Sequence, residues 1–327
     1  MKTLAIIGAG ISGLISAEKL APHFDVHIFD KARGVSGRMA TRRSGEPEVS
    51  FDHGAQYFTV RSNEVKDMLG SWITDGVVAP WDGRVAVLKP AQAIEEEATP
   101  RFVAVPAMNV LGKHLAKDFS IQTNTPITKA QKADDGWHLT TNDGVLYGPF
   151  DILICSAPPE QSLAILGEAN PFAEVLAAQS FDPCWATMVH FEQSIPTTYD
   201  GAFVHDNPLR WICRNNSKPG RQAEAECWVL HATPEWSKEH LELPREITPK
   251  LLEAMSIAIG QPLSNVIHAT SHRWRYSAPA TPLEQGHLWS DDALLGICGD
   301  WCSGARVEGA IQSGLGLSAE IIQNIAK

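Results

Sequence analysis

The chain has 327 residues and a formal net charge of −11 at pH 7. That length buries roughly 75% of its unfolded surface, so one large domain or two interlocked ones can form without disulfide or metal staples. The acidity argues against a nucleic-acid or anionic-membrane surface, because neutralising phosphates takes Lys and Arg spread over a broad face.

The six cysteines are scattered and form no zinc or CxxC spacing, so no metal is expected. Leu4-Ala5-Ile6-Ile7 is too short for a signal h-region, and no run approaches the roughly 18 apolar residues of a membrane span. A cytoplasmic, reducing setting is the expectation.

In chain order, residues 4–7 read as a buried parallel strand, residues 11–20 as a helix ended by Pro22, and residues 26–29 as a second strand, together one βαβ unit. Ser62 can cap a helix in which Val65, Met68, Leu69, Trp72 and Ile73 share a face, and two short strands flank the turn Asp82-Gly83. Residues 90–100, with three consecutive glutamates, read as a surface loop. Residues 119–151 alternate short strands with the turns Asp135-Gly136 and Asp143-Gly144, then return to the parallel sheet through Ile152-Leu153-Ile154-Cys155.

From residue 159 to 288 the texture changes to short Trp-bearing strands (185–191, 209–214, 226–232) and a helix near 249–259, which predicts an antiparallel-sheet domain. A last strand at 294–298 leads to Gly299-Asp300 and a helix whose face carries Ile311, Leu315, Ile322 and Ile325. The chain is therefore expected to close where it opened. Residues 1–60, 100–158 and 290–327 are assigned to a discontinuous nucleotide domain, and residues 61–99 and 159–289 to a substrate domain.

Between the first strand and first helix, Gly8, Gly10 and Gly13 have GxGxxG spacing, and Asp30 ends the second strand. Such a turn brings backbone close to a diphosphate, the helix N-terminus adds about half a positive charge, and a terminal acid can bind ribose hydroxyls. FAD and NAD share that half of the molecule, so the turn does not separate them. Lys31, Arg33, Arg38, Arg42 and Arg43 follow without an intervening acid. They read either as a solvated loop or as a diphosphate clamp.

Residues 8–13, Asp30, Ser36-Gly37-Arg38, Gly299-Asp300 and residues 304–310 resemble the flavin amine oxidase superfamily. Residues 52–59 (Asp52-His53-Gly54-Ala55-Gln56-Tyr57-Phe58-Thr59) and 272–276 (His272-Arg273-Trp274-Arg275-Tyr276) resemble the bacterial renalases within it. The resemblance implies an α/β fold: a Rossmann-type FAD-binding domain with an interleaved antiparallel-sheet substrate domain, as in p-hydroxybenzoate hydroxylase and the amine oxidases. It also implies non-covalent FAD held by Gly8, Gly10, Ser12, Gly13, Asp30, Lys31, Arg38, Met39, Ala55, Gln56, Ile127, Thr128, Asp300 and Val307. Asp30 stands where Glu is more usual in that superfamily, and Ser36 where glycine is.

The implied activity is oxidation of misreduced 2- or 6-dihydro isomers of NAD(P)H to NAD(P)+, with O2 reduced to H2O2. Asn215, His231 and Trp274 would be the catalytic residues, and Tyr57 and Trp274 would meet the substrate. Hydride loss from a dihydropyridine leaves an aromatic cation and needs no base, so positioning would supply most of the catalysis. A flavin amine oxidase acting on a small amine, a nicotinamide-using dehydrogenase and a non-catalytic flavin-binding redox module are the competing readings. With only Tyr57, Tyr147, Tyr199 and Tyr276 in the chain, an aromatic cage of two tyrosines for an amine has few candidates.

Overall fold

The computed structural model describes residues 1–89, 92–95 and 100–325, with the backbone alone at 92–95 and 244–246. The chain opens with β1 (Thr3–Ile7), α1 (Ile11–Leu20) and β2 (Asp25–Phe29), then a ribbon of β3 (Arg42–Ser44) and β4 (Val49–Phe51). Next come α2 (Asn63–Thr74), β5 (Val78–Pro80), β6 (Val85–Lys89), β7 (Gln92–Glu95), β8 (Phe102–Ala104), α3 (Val110–Leu115) and β9 (Ile121–Gln122). A meander of β10 (Ile127–Ala133), β11 (Gly136–Thr141) and β12 (Leu146–Phe150) precedes β13 (Ile152–Cys155), α4 (Pro159–Leu166) and α5 (Ala173–Ala178). The remainder is β14 (Phe181–Phe191), β15 (Gly201–Val204), β16 (Leu209–Arg214), β17 (Glu226–Ala232), α6 (Pro234–Glu239), α7 (Pro244–Ile259), β18 (Val266–Pro279), β19 (Leu288–Ser290), β20 (Leu295–Ile297) and α8 (Val307–Ile325).

Two sheets organise these elements. The first has the order β19-β20-β13-β1-β2-β9, parallel except at its β19 edge. Its central strands are apolar on both faces because helices and the meander cover them: Leu4, Ala5 and Ile6 of β1 and Ile152, Leu153 and Ile154 of β13 are fully buried. Each of the leucine and isoleucine side chains contributes about 1.5–3 kcal/mol of burial. The α/β, Rossmann-type character expected of the nucleotide domain is present, built from both ends of the chain.

The second sheet has the order β18-β14-β17-β16-β15-β6-β7. It is mixed where an antiparallel sheet was expected, since β15 and β6 run parallel. The strands flanking Asp82-Gly83 exist but do not form a hairpin: β5 pairs with β8 and β6 with β15, so the chain crosses here between sheets. Residues 92–95 of the expected 90–100 loop are strand β7, which completes the free edge of β6. That partner ends only three residues before β7, but the glutamate run gives no sign of a strand. Residues 90, 91 and 96–99 of that loop lie outside the described residues.

The domain assignment shifts accordingly. Val65, Leu69 and Trp72 of α2 pack into the core of α1 and β1, and Leu166 and Leu176 of α4 and α5 join the core beneath β11 and β13. Residues 63–74 and 159–178 therefore belong to the nucleotide domain, and after β6 and β7 the substrate sheet resumes with β14. Helix α7 starts at Pro244, five residues before the predicted start, with Pro249 inside it.

Candidate active site

A cavity of about 1940 Å³ is lined by residues of both domains. At one end lies the glycine turn, where three glycines meet three separate requirements. Gly8 has φ +107°, a left-handed turn. A Cβ on Gly10 would meet nothing within 4 Å, so this backbone faces open cavity, whereas one on Gly13 would stand 2.2 Å from the Gly8 carbonyl oxygen. Helix α1 can therefore seat against the turn only with glycine there. Ser12 Oγ is buried and has no partner among the described residues beyond the weak Cys298 thiol beside it, an orphan that a phosphate oxygen would satisfy.

Asp30 lies just past β2 and accepts from Ala9 N–H and Ala32 N–H, both at 2.7 Å. Burial raises its carboxyl above the ordinary carboxylate value, and the Ala32 and Ala9 amides pull the other way. Each oxygen keeps lone-pair capacity for a ribose hydroxyl. Ser36, where superfamily resemblance expects glycine, adopts φ 92° and is held there by its hydroxyl donating to Asn109 O at 2.9 Å. A hydrogen bond of about 1 kcal/mol offsets a left-handed cost of similar size.

In the middle of the cavity Arg38 donates two hydrogen bonds to Asp300, at 2.6 and 2.8 Å, and lies 5.3 Å from the Phe181 ring centroid. Asp300 follows β20, and Val307 begins α8 beside it, both lining the cavity. Glu308, in the first turn of α8, accepts from Arg61 N–H and Ser62 N–H at 2.7 Å each, which ties the start of α2 to that helix.

Behind residues 52–57 lies a buried ion cluster. Asp52 accepts from Arg221 at 2.7 and 3.1 Å, Lys218 at 3.4 Å, Thr41 at 2.7 Å and Met108 N–H at 3.0 Å. Burial works to raise the Asp52 carboxyl, and the two cations more than offset it, so the net direction is down. Lys218 Nζ also reaches Gln56 Oε1 and Asn215 Oδ1, each at 3.2 Å, and Gln56 Nε2 donates to Asp52 O. Two cations against one carboxylate leave one positive charge in excess, held behind the loop of Ala55 and Gln56.

The far end of the cavity is a face of aromatic and imidazole rings. Strand register places His272, Ala186, His231 and Trp211 in one row across β18, β14, β17 and β16, with small Ala186 between the two histidines. Trp274 Nε1–H and His231 Nε2–H both donate to His53 O, at 3.0 and 3.2 Å. His231 therefore carries its proton on Nε2, since a carbonyl can only accept. His53 stacks on Trp274 at 5.1 Å, and His272 meets both rings edge-on at 4.8 and 4.6 Å. Burial first, and then neighbouring positive charge, lowers His53 and His231 to about 3 and His272 to about 4. All three are neutral, weakly basic imidazoles near pH 7.

Of the residues predicted from sequence, Gly8, Gly10, Ser12, Asp30, Lys31, Arg38, Met39, Ala55, Gln56, Ile127, Asp300 and Val307 line this cavity, as do Tyr57, His231 and Trp274. Gly13 packs behind the turn. Thr128 is not at the cavity, and its hydroxyl bonds to Thr140 O within the meander. Asn215 is not there either: it donates to Ser50 O and accepts from Asp52 N–H, so it buttresses the 50–52 backbone and touches no open space. Arg42 departs from the basic run near the turn and acts electrostatically on His53 and His272 at the opposite end.

Sequence reading missed Lys218 and Arg221, whose partner Asp52 is 166 and 169 residues away. It assigned no role to His53, His272, Arg42, Arg210 or Trp211 at the ring face. The motifs around His53 and His272 were visible, but their convergence on one carbonyl was not. Cys298 and Cys302 are fully buried, as expected of small apolar residues, and all six cysteines are free. Among the described residues no group of His, Cys, Asp and Glu could hold a metal ion, and no helix is long and apolar enough to cross a membrane.

Residues 6–72 match the family model for an NAD(P)-binding Rossmann-like domain. The whole chain is similar to solved structures of two oxidases. A putative protoporphyrinogen oxidase from Exiguobacterium sp. 255-15 superposes with a TM-score of 0.79 at 12% identity, covering 98% of each chain. The chain has the fold of these oxidases. A putrescine oxidase bound to putrescine superposes with a TM-score of 0.77 at 11% identity, covering 98% of this chain and 99% of that one. The expected α/β class with an interleaved substrate domain is thus the observed one.

Proposed function

We propose that the protein binds FAD non-covalently and oxidises 2- or 6-dihydro isomers of nicotinamide dinucleotides. The observation that carries this reading is the ring face of His272, His231, Trp274 and Trp211, which offers aromatic and neutral imidazole rings and no charged base. Bound FAD would supply the hydride acceptor, and O2 its reoxidant with H2O2 as product.

The cofactor fits the chain's own groups. The Gly10 backbone and Ser12 would meet the diphosphate, Asp30 the adenosine ribose, and Asp300 the ribityl chain, with Arg38 already oriented by Asp300. The N-terminus of α8 and the excess positive charge at Lys218 and Arg221 favour negative charge developing on the isoalloxazine ring. His231 and Trp274 hold the His53 carbonyl in place, so the surface against which a dihydropyridine would stack is rigid. Three imidazoles with pKa values of about 3 to 4 are poor proton acceptors at neutral pH, which suits a substrate that loses hydride without losing a proton.

Charge argues against an amine cation. Ten arginines and two lysines line the cavity against three carboxylates, the reverse of the chain's overall balance. An anionic ligand is favoured there and a protonated amine is not.

Anaerobic titration tests the reading: 2- or 6-dihydronicotinamide dinucleotide should bleach the flavin absorbance, with little response to ordinary 4-dihydro NADH. Rapid bleaching by amines alone would overturn the assignment, and protein purified without flavin would remove the cofactor. Asp300→Ala should leave the column with a lower ratio of flavin to protein absorbance. Full occupancy in that variant would show that Asp300 does not hold the cofactor.

A further inference from the structure

We infer that Arg42 and Arg210 form an anion clamp at the ring face and select a substrate that carries a phosphate. This deepens the proposed function and rests on it for the identity of the substrate ring. The two arginines come from different domains' elements, Arg42 from β3 and Arg210 from β16, and both line the cavity.

Their placement is specific. Arg210 is the extra residue of a β-bulge, because Leu209 pairs with Ala232 and Trp211 with His231, leaving Arg210 without a register partner. A bulge re-aims a side chain, and here Arg210 and Trp211 both reach the cavity although neighbours in a regular strand point to opposite faces. Arg42 pairs with Phe51, two residues before His53, at the other end of the row. Electrostatically Arg42 acts on His53 and His272, and Arg210 on His231, so each charge is close to a different part of the ring row.

Neither arginine has a side-chain hydrogen bond or carboxylate partner among the described residues. Three other cavity arginines do, Arg38 with Asp300 and Arg273 and Arg275 with Glu242, so what sets Arg42 and Arg210 apart is an unpaired charge acting on the ring row. Two unpaired guanidinium groups beside this ring face match an aromatic ring carrying a phosphate on a short arm. The glycine turn, with Ser12 and Arg38, belongs to the nucleotide sheet, so the cofactor's own diphosphate does not account for Arg210 on the substrate sheet.

The experiment compares dihydronicotinamide mononucleotide with the unphosphorylated riboside on holoenzyme, in wild type, Arg42→Gln, Arg210→Gln and the double variant. The ratio of kcat/KM for mononucleotide over riboside should fall about tenfold per arginine, mostly through KM, and the wild-type ratio should decline with added salt. Equal loss on both substrates, or no loss, would overturn the clamp. A second arm titrates inorganic pyrophosphate into holoenzyme by calorimetry, where the double variant should bind about 10-fold or more weakly. Unchanged pyrophosphate affinity also overturns the clamp. If wild type oxidises neither dihydronicotinamide yet pyrophosphate binding depends on both arginines, the proposed substrate fails and the clamp stands.

Discussion

Asp52→Asn is expected to destabilise the protein by roughly 3–5 kcal/mol, the cost of breaking a buried ion pair from one side. The side chains of Lys218 and Arg221 are 0% and 1% exposed, so both charges would stay in the interior without a counter-charge. Neither can swing to water, and Arg221 is further pinned by donating to Ala104 O and Pro219 O at 2.6 and 2.7 Å. The same carboxylate holds Thr41 and the Met108 amide, so the loop that presents His53 and Tyr57 to the cavity should loosen as well. Denaturant unfolding of wild type and variant measures the cost. Adding Lys218→Met to Asp52→Asn should recover part of it, because one unpaired cation is removed. A loss below about 1 kcal/mol, or no recovery in the double variant, would show that the cluster is not the ion pair its geometry describes.

The second large effect is acid lability above the range where carboxylates titrate. His53 and His231 are held near 3 in the fold against an ordinary value of 6.5. Below pH 6.5 the unfolded chain takes up protons that the fold refuses. The histidine contribution is therefore complete above pH 6.5 and is lost progressively as pH falls toward 3. Each of the two costs up to about 1.4 kcal/mol per pH unit across that window, so roughly 3 kcal/mol per unit together once pH is well below 6. His272, lowered to about 4, acts in the same direction. Asp52, with its carboxyl held down, adds a loss only at lower pH, as it is protonated. Unfolding free energy measured from pH 7.5 to 4.5 should show the slope, and His231→Gln should reduce it. A flat profile over that range, or an unchanged slope in the variant, would contradict the buried neutral imidazoles.

Local pattern alone was enough to establish the nucleotide half of the molecule. Gly8, Gly10 and Gly13 between an apolar run and a helix, Asp30 at the next strand end, and the apolar run 152–155 are short-range features whose physics is contained in a few neighbouring residues. The meander turns and the apolar face of the closing helix were legible for the same reason.

What the sequence left undecided depends on which strand becomes whose neighbour. The parallel pairing of β15 with β6 and the passage of α4 and α5 to the nucleotide domain are choices of partner that period-two alternation does not encode. The active-site face shows this most plainly. His272, His231 and Trp211 come from strands far apart in sequence, and only lateral register puts them in a row. Asn215 was placed in the pocket by the resemblance, yet the Asp52 loop packs over it; Lys218, to which no role was assigned, has a fully buried side chain. The glycine turn was determined by sequence because its conformation is local, whereas the charge and ring pattern that would choose a substrate was decided by tertiary pairing.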